Sequence, residues 1–195
     1  MFDQFEFSCE FFETQEAVDL AILKRVAAAG CRLCGGRLDR GDYPRKPRGG
    51  AIGAAAEGPT RRFSLCCREE GCRKRSTPPS VRFLGRRVYV GAVVLVASVI
   101  ALVSMKAAEA GRRTGIVPRT LRRWGAWWQG SFTKTAAFVE IASRLVPAPA
   151  RSRFPASILE RLSGTPSARV ETVLMQLAPI TSSMPDGSRF VRAIV

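Results

Sequence analysis

The first helical pattern in the chain lies over Gln15–Ala29, where apolar residues recur at intervals of three and four. These residues are Val18, Ala21, Ile22 and Val26. Acids lie in the first turn, Lys24 and Arg25 come later, and Gly30 follows as a terminator. The pattern predicts a helix over 15–29. Residues 1–14 combine five phenylalanines with acids, and we expect a frayed terminus there.

A second pattern is a run of 18 residues without charge, Val88–Met105. As a helix it would extend about 27 Å, close to the thickness of a bilayer core. Arg86 and Arg87 before it and Lys106 after it could flank a membrane span. The run contains a glycine and two serines, and it leads directly into a segment that needs a first helix to pack on. We therefore favour a buried helix that is apolar on every face, with a membrane span as the alternative.

Two short helices joined by a turn are predicted over residues 106–128. Alanines favour a first helix that ends at Gly111, and the following letters RRTGIV are expected to form the turn. Pro118 suits the first turn of the next helix, because that position needs no amide proton. Along this second helix three large apolar residues recur at i, i+3 and i+7 and should face inward: Leu121, Trp124 and Trp128. The segment is thus predicted to be a helix-turn-helix.

Further helical patterns follow towards the end of the chain. One covers Phe132–Leu145, and two more lie at about 156–163 and 167–178. A proline-rich break at 147–155 is expected to be a linker, and the tail from Thr181 to be irregular. The chain then divides into an N-terminal segment and helix (1–30), a cysteine-rich ribbon (31–80), a helical domain (81–146) and a linker with C-terminal helices (147–195). The expected fold class is mainly α, with a small β ribbon packed on a helical bundle.

Five of the six cysteines lie between residues 31 and 75, among glycine, proline and arginine and only two short apolar segments. Such a unit cannot build its own core, so it needs another source of stability. Cys31-x2-Cys34, followed by two glycines, and a second group ending in Cys72 form the pattern of a zinc ribbon. The third ligand is Cys66 or Cys67, and we choose Cys67 because it shares a strand face with Phe63 and Leu65.

The predicted metal ligands are therefore Cys31, Cys34, Cys67 and Cys72. Cys9 is distant and is expected to be an ordinary thiol. The chain has no histidine, so an imidazole ligand and histidine-dependent nucleophilic catalysis are excluded. Four thiolates would close the coordination sphere, and the Zn2+ would be structural. Disulfides and unligated cysteines are the alternatives; disulfides would require an oxidising compartment, and no secretion signal is visible.

Charge adds a class of partner to these patterns. The formal net charge is +15, and residues 1–19 contain six acids and no base, so the remaining 176 residues carry +21. Such a field attracts nucleic acid or an anionic membrane surface. On the second helix of the helix-turn-helix, an arginine-rich face is expected to contact bases or backbone of double-stranded DNA: Arg119, Thr120, Arg122 and Arg123. Arg112 and Arg113 are expected to contact phosphates.

The combination of the four-cysteine ribbon, the link STPPSVRFLGRRVY and the segment TGIVPRTLRRWGAWW resembles the DNA-binding front half of bacterial transposases and their small accessory proteins. The resemblance covers about half of the chain. It implies DNA binding without strand-transfer chemistry, because that reaction needs three carboxylates on a large catalytic domain. After Trp128 the only acids are Glu140, Glu160, Glu171 and Asp186.

We therefore expect a bacterial, cytoplasmic, nucleoid-associated protein that is not an enzyme: a transposon-associated accessory factor or a transcriptional regulator. Two alternatives stay open. One is a single-pass membrane protein with a cytoplasmic zinc ribbon. The other is an adaptor whose acidic, aromatic N-terminus or C-terminal helices bind a protein partner. The sequence does not decide between DNA and RNA.

Overall fold

The computed structural model describes residues 7–45, 61–84, 89–104, 107–184 and 191. The fold is mainly α with small antiparallel sheets, as predicted. The elements in chain order are α1 (Cys9–Ala29), β1 (Leu38–Arg40), β2 (Tyr43–Pro44), β3 (Arg61–Arg62), β4 (Leu65–Cys67), β5 (Arg75–Ser76), β6 (Phe83–Leu84), β7 (Tyr89–Val90), α2 (Gly91–Val103), α3 (Ala107–Thr114), α4 (Pro118–Ala126), α5 (Ala136–Ser143), α6 (Ala156–Leu159) and α7 (Pro166–Leu177). A π-helical turn (Trp127–Ser131) continues α4, and 310 turns cover Phe132–Lys134, Arg151–Arg153 and Ala178–Thr181.

Helix α1 begins at Cys9, well before the predicted start at residue 15. The Ser8 hydroxyl accepts a hydrogen bond from the Phe11 amide at 3.1 Å and caps the helix. Phe7 and Phe11 are buried, with ring centroids 5.1 Å apart. The expectation of a frayed terminus is therefore wrong for residues 7–14, because a cap and buried rings hold this turn; residues 1–6 lie outside the described part.

The ribbon strands form a three-stranded antiparallel sheet in the order β1-β4-β5. Leu38 on β1 pairs with Cys67 on β4, and Leu65 on β4 pairs with Ser76 on β5. Leu65 and Cys67 are buried, whereas Cys66 between them is half-buried, as strand alternation requires. Two further antiparallel pairs, β2 with β3 and β6 with β7, complete the strands of the described residues. Glycine and proline also predict a flexible loop over 44–59, and its residues after 45 lie outside the described ranges.

Helix α2 is enclosed by protein. Every residue from Gly91 to Ile100 is buried, and α3, α4, α6 and α7 pack around the helix. Helices α2 and α7 approach each other closely at Gly91, where an added Cβ would lie 2.9 Å from a Leu174 methyl carbon. Burial on all sides explains why the helix is apolar on every face and confirms the buried-helix prediction. Among the residues described, no helix is both long enough and apolar enough to cross a membrane.

Helix α3 continues to Thr114, past the predicted end at Gly111. A Cβ at Gly111 would lie 3.1 Å from the Ile116 carbonyl oxygen, so this glycine permits close contact between α3 and the turn rather than ending the helix. The left-handed residue that ends α3 is Gly115, with φ +67°. The prediction of a turn from residue 112 onwards is therefore wrong. Helix α4 begins at Pro118, as predicted.

The C-terminal part packs onto the same core. The predicted linker at 147–155 contains Phe154, which is fully buried against the rings of Trp128, Phe132 and Phe138, with centroids 5.1–5.5 Å apart. Helix α6 lies inside the segment predicted over 156–163, α7 begins one residue before the segment predicted over 167–178, and both helices contact α2. One cluster of buried side chains joins α1, the ribbon sheet, α2–α4 and the C-terminal helices. The segment 147–155 thus contributes a core residue, which proline spacing alone does not indicate.

Candidate functional site

Four cysteines meet at one end of the ribbon sheet. The sulfur atoms of Cys31, Cys34, Cys67 and Cys72 all lie within 4.8 Å of one another. Cys31 Sγ is 3.7 Å from Cys72 Sγ, and Cys34 Sγ is 3.4 Å from Cys67 Sγ. None of the four forms a disulfide. Four soft donors at these separations can hold one metal ion, and the arrangement uses one cysteine pair from each half of the ribbon.

The turn that carries Cys31 and Cys34 is fixed by its own backbone. The Cys31 amide donates to the Gly36 carbonyl at 2.8 Å, and the Gly35 amide donates to the Cys31 carbonyl at 2.7 Å. Gly30 has φ +75°, and a Cβ there would lie 2.9 Å from the Gly35 carbonyl oxygen. The glycines predicted around the pair therefore allow a tight turn that aims both sulfurs to the same side.

The thiols of the cluster differ in pKa. Turn amides, led by that of Leu33, donate to the Cys31 sulfur and lower the pKa of its thiol to about 6. Burial raises the pKa of the Cys67 thiol to about 12. At Cys72 the Lys74 amide lowers the pKa, but burial and the neighbouring thiols outweigh it, so the pKa is raised. A cation at the centre of the four sulfurs would oppose these increases by stabilising every thiolate.

The other two cysteines lie outside this cluster. The Cys66 thiol is directed to backbone, with contacts of 3.7 Å to the Cys67 carbonyl and 3.5 Å to the Arg73 carbonyl. Its strand neighbour Cys67 points to the opposite, buried face and joins the four sulfurs. Cys9 is exposed at the start of α1. The structure therefore brings together the four cysteines named from the sequence.

The surface around the cluster is basic. Described residues 31–45 and 61–76 contain ten bases and four acids. Asp39 on β1 accepts from Arg68 at 2.8 Å and lies 3.3 Å from Arg37. The Arg68 guanidinium is the main cause that lowers the pKa of Asp39. Much of the remaining positive charge, including Arg32 and Lys74, is exposed to solvent.

The arginines named on the second helix form a face of α4. Arg119 and Arg122 are exposed, and within the described ranges neither has a hydrogen-bond or ion-pair partner. Arg123 is exposed and donates to the Tyr89 hydroxyl at 2.8 Å. Leu121 and Trp124 are buried on the opposite side, as is Trp128 in the following π-helical turn. The predicted separation of an apolar side and an arginine side is thus present.

The remaining residues of the predicted interface lie beside this face. Thr120 is partly exposed in the first turn of α4. Arg112 and Arg113 are exposed in the last turn of α3 and not in the connecting turn, because α3 is longer than predicted. Arg112 forms an ion pair with Glu109 one turn earlier. All six predicted contact residues therefore belong to α3 or α4, which pack against each other.

Sequence reasoning missed a buried polar cluster that joins α1 to the link after the ribbon. Asp19 is 1% exposed and accepts hydrogen bonds from the Ser80 hydroxyl at 2.6 Å, the Val81 amide at 2.7 Å and Arg82 Nε at 2.9 Å. The Arg82 guanidinium also lies 4.2 Å from the centre of the Phe63 ring. The only sequence signal was an aspartate on the apolar side of the α1 pattern.

Comparisons of the chain with protein-family models, with curated proteins and with solved structures found no match.

Proposed function

We propose that this chain is a zinc-stabilised protein that binds double-stranded DNA, acting as a transposon-associated accessory factor or a transcriptional regulator in bacteria. In this proposal α2, α3 and α4 form a helix-turn-helix unit, and α4 enters the major groove. The ribbon holds one structural Zn2+. The observation that carries the proposal is the exposed arginine face of α4, on which Arg119 and Arg122 have no partner among the described residues, opposite a deeply buried apolar side.

The separations in the cysteine cluster suit a closed, tetrahedral zinc site. Sulfur ligands at about 2.3 Å from a tetrahedral zinc ion are separated from one another by about 3.8 Å. Two sulfur separations that join the halves of the ribbon, 3.7 Å between Cys31 and Cys72 and 3.4 Å between Cys34 and Cys67, lie close to that value. Four thiolates leave no coordination position for water, so the role that fits is folding rather than catalysis.

The arginine face has the chemistry of a groove-reading surface. Arg119, Arg122 and Arg123 follow the i, i+3, i+4 spacing that places side chains along one stripe of a helix. A guanidinium can donate two hydrogen bonds to O6 and N7 of guanine, which only the major groove presents together. An arginine without a protein partner can make those bonds without first breaking an ion pair. Arg119 and Arg122 meet this condition among the described residues.

The buried side of α4 would hold that face still. Trp124 packs edge-on against Tyr89 with ring centroids 5.3 Å apart, and the Tyr89 hydroxyl accepts from Arg123. The Trp128 indole Nε1 donates to Ser98 of α2 at 3.0 Å. Interactions that fix a helix on its scaffold reduce the entropy that binding must overcome. Arg112 and Arg113 on α3 would then contact phosphates and set the register.

Replacing Arg119 and Arg122 together by alanine tests the proposal. These two are better targets than Arg123, whose contact with Tyr89 gives it a structural role. We expect affinity for a duplex selected from random sequences to fall by about tenfold or more per arginine. The preference for the selected duplex over a random one should fall, while the slope of log affinity against log salt should change little, because contacts to base edges neutralise no phosphate.

The matched control is Arg144→Ala with Arg153→Ala, which removes the same charge from exposed arginines paired with Glu140 and Glu160. The control should lose much less affinity than the α4 variant, and both should keep the wild-type helix content. Equal losses would indicate attraction to net charge and would contradict a groove-reading helix. Equal affinity for an RNA duplex of the same sequence would also contradict it, because the A-form major groove is too narrow for a helix.

A further inference from the structure

One valine in the turn between α3 and α4 has a side chain that is exposed to solvent. Ile116 is 4% exposed and anchors the turn in the core, whereas its neighbour Val117 is 67% exposed. Val117 comes immediately before Pro118, the first residue of α4. It is thus an exposed apolar side chain at the N-terminal end of α4, two positions before Arg119 in the sequence.

The backbone holds Val117 from both sides. Before it, the Thr114 hydroxyl donates to the Ala110 carbonyl at 2.8 Å and accepts from the Ile116 amide at 3.3 Å. After it, the Val117 carbonyl accepts from the Thr120 amide at 2.8 Å. A residue that precedes proline has a restricted backbone, and a β-branched side chain has few rotamers. The two methyl groups are therefore presented with little freedom left to lose on binding.

We propose that Val117 reads the C5-methyl group of a thymine in the DNA site, a step that rests on the proposed duplex binding by α4. The major groove exposes this methyl group beside the hydrogen-bond acceptors that arginines recognise, and apolar side chains are its usual contacts. A rigid valine at the start of the helix that carries Arg119 and Arg122 suits such an edge: it takes the methyl while Arg119 or Arg122 donates to a neighbouring guanine. The preferred site then contains a thymine next to a guanine-containing step.

The test uses a duplex obtained by selection from random sequences with the full-length protein. Each thymine in that duplex is replaced, one at a time, by deoxyuridine, which lacks only the methyl group. At one position we expect the wild-type affinity to fall about fourfold, the loss equivalent to one buried methyl group. Val117→Ala should weaken binding to the unmodified duplex, and deoxyuridine at that position should then have no further effect. The control Val146→Ala, at a valine that is 97% exposed elsewhere, should behave as wild type.

Three outcomes would overturn the inference, and they separate it from the proposed function. If Val117→Ala keeps the full wild-type loss on deoxyuridine replacement while the Arg119 and Arg122 variant fails to bind, DNA binding stands and the role of Val117 is wrong. If selection enriches no sequence although duplexes bind, α4 reads no bases and Val117 reads no methyl. If no duplex binds, both proposals fail. Val117→Thr, which keeps one methyl group and the branched shape, should retain part of the discrimination and covers the case in which the alanine variant is unstable.

Discussion

Two parts of the molecule are stabilised by different interactions. We call described residues 31–45 and 61–76 the cysteine unit, and described residues 89–128 the helical unit. Strands of the cysteine unit are two or three residues long, and its buried apolar side chains include little beyond Leu38, Phe63 and Leu65. In the helical unit, α2 alone buries ten consecutive residues. In the proposed zinc-bound protein the cysteine unit would therefore depend on a metal held by four sulfur atoms, whereas the helical unit depends on contact area spread along a helix.

This difference suits the two proposed roles, which are zinc binding by the cysteine unit and DNA binding by α4 of the helical unit. A unit closed by a metal ion can stay folded with a basic, polar surface, because its stability does not require apolar burial. A unit held by burial can leave one helix face free for arginines, since the opposite face supplies the packing. The buried link at Asp19, Ser80 and Arg82 lies between them and ties α1 to the segment that connects the ribbon with α2.

The largest expected effect comes from removing the metal. Treatment with a strong chelator, or Cys67→Ser, should abolish amide protection in β1, β4 and β5, because structural zinc sites supply about 10 kcal/mol of folding free energy. Amides of α2 should stay protected, since apolar packing holds that helix. Hydrogen exchange followed by mass spectrometry measures both regions in one experiment.

Cys66→Ser and Cys9→Ser are the matched controls, because neither sulfur belongs to the cluster of four. Both variants should retain one zinc ion per chain by elemental analysis and should keep the protection of β4. Loss of metal in Cys66→Ser would mean that the assignment on β4 is reversed. Loss of protection in α2 as fast as in β4 would mean that the two units are not held in different ways.

The next effect in size concerns the link between the units. Asp19→Ala leaves the buried Arg82 without its main carboxylate, and breaking such a pair costs about 3–5 kcal/mol in the free energy of unfolding. Denaturant unfolding should show the loss and a broadened or split transition as the units separate. Glu16→Ala is the control: Glu16 lies 3.6 Å from Arg82 but its side chain is 50% exposed, so about 1 kcal/mol or less is expected. Equal losses in the two variants would argue against a buried tie.

The features that the sequence predicts correctly are those that depend on interactions between residues close together in the chain. Spacing places Cys31 beside Cys34, and the i, i+3 pattern places Leu121 and Trp124 on the inner side of α4, because turn and helix geometry are local. The tie between Asp19 and Arg82 depends on residues 63 positions apart, and no local pattern encodes which carboxylate meets which guanidinium.

Two other differences between prediction and structure arise because glycine and proline can occur at a position for more than one reason. The sequence around Gly111 predicts a helix end, but the missing Cβ of this glycine permits the close approach of Ile116. The proline-rich segment predicts a linker, although its single Phe154 fills an aromatic cluster in the core. Glycine and proline therefore do not mark boundaries at these two places, because tertiary packing decides their role.

The smallest effect tests a polar contact inside the otherwise apolar helical unit. The Ser98 hydroxyl accepts from the Trp128 indole at 3.0 Å and donates to the Val94 carbonyl at 2.6 Å. Ser98→Ala leaves a buried indole N–H without its acceptor, so the free energy of unfolding should fall by about 1–3 kcal/mol. Ser143→Ala, at an exposed hydroxyl on α5, should stay within about 0.5 kcal/mol of wild type. In a Trp128→Phe background the effect of Ser98→Ala should largely disappear, because the hydrogen-bond donor is gone. A loss of the same size in both backgrounds would show that the serine acts through packing. Apolar burial alone would then hold α4 on α2.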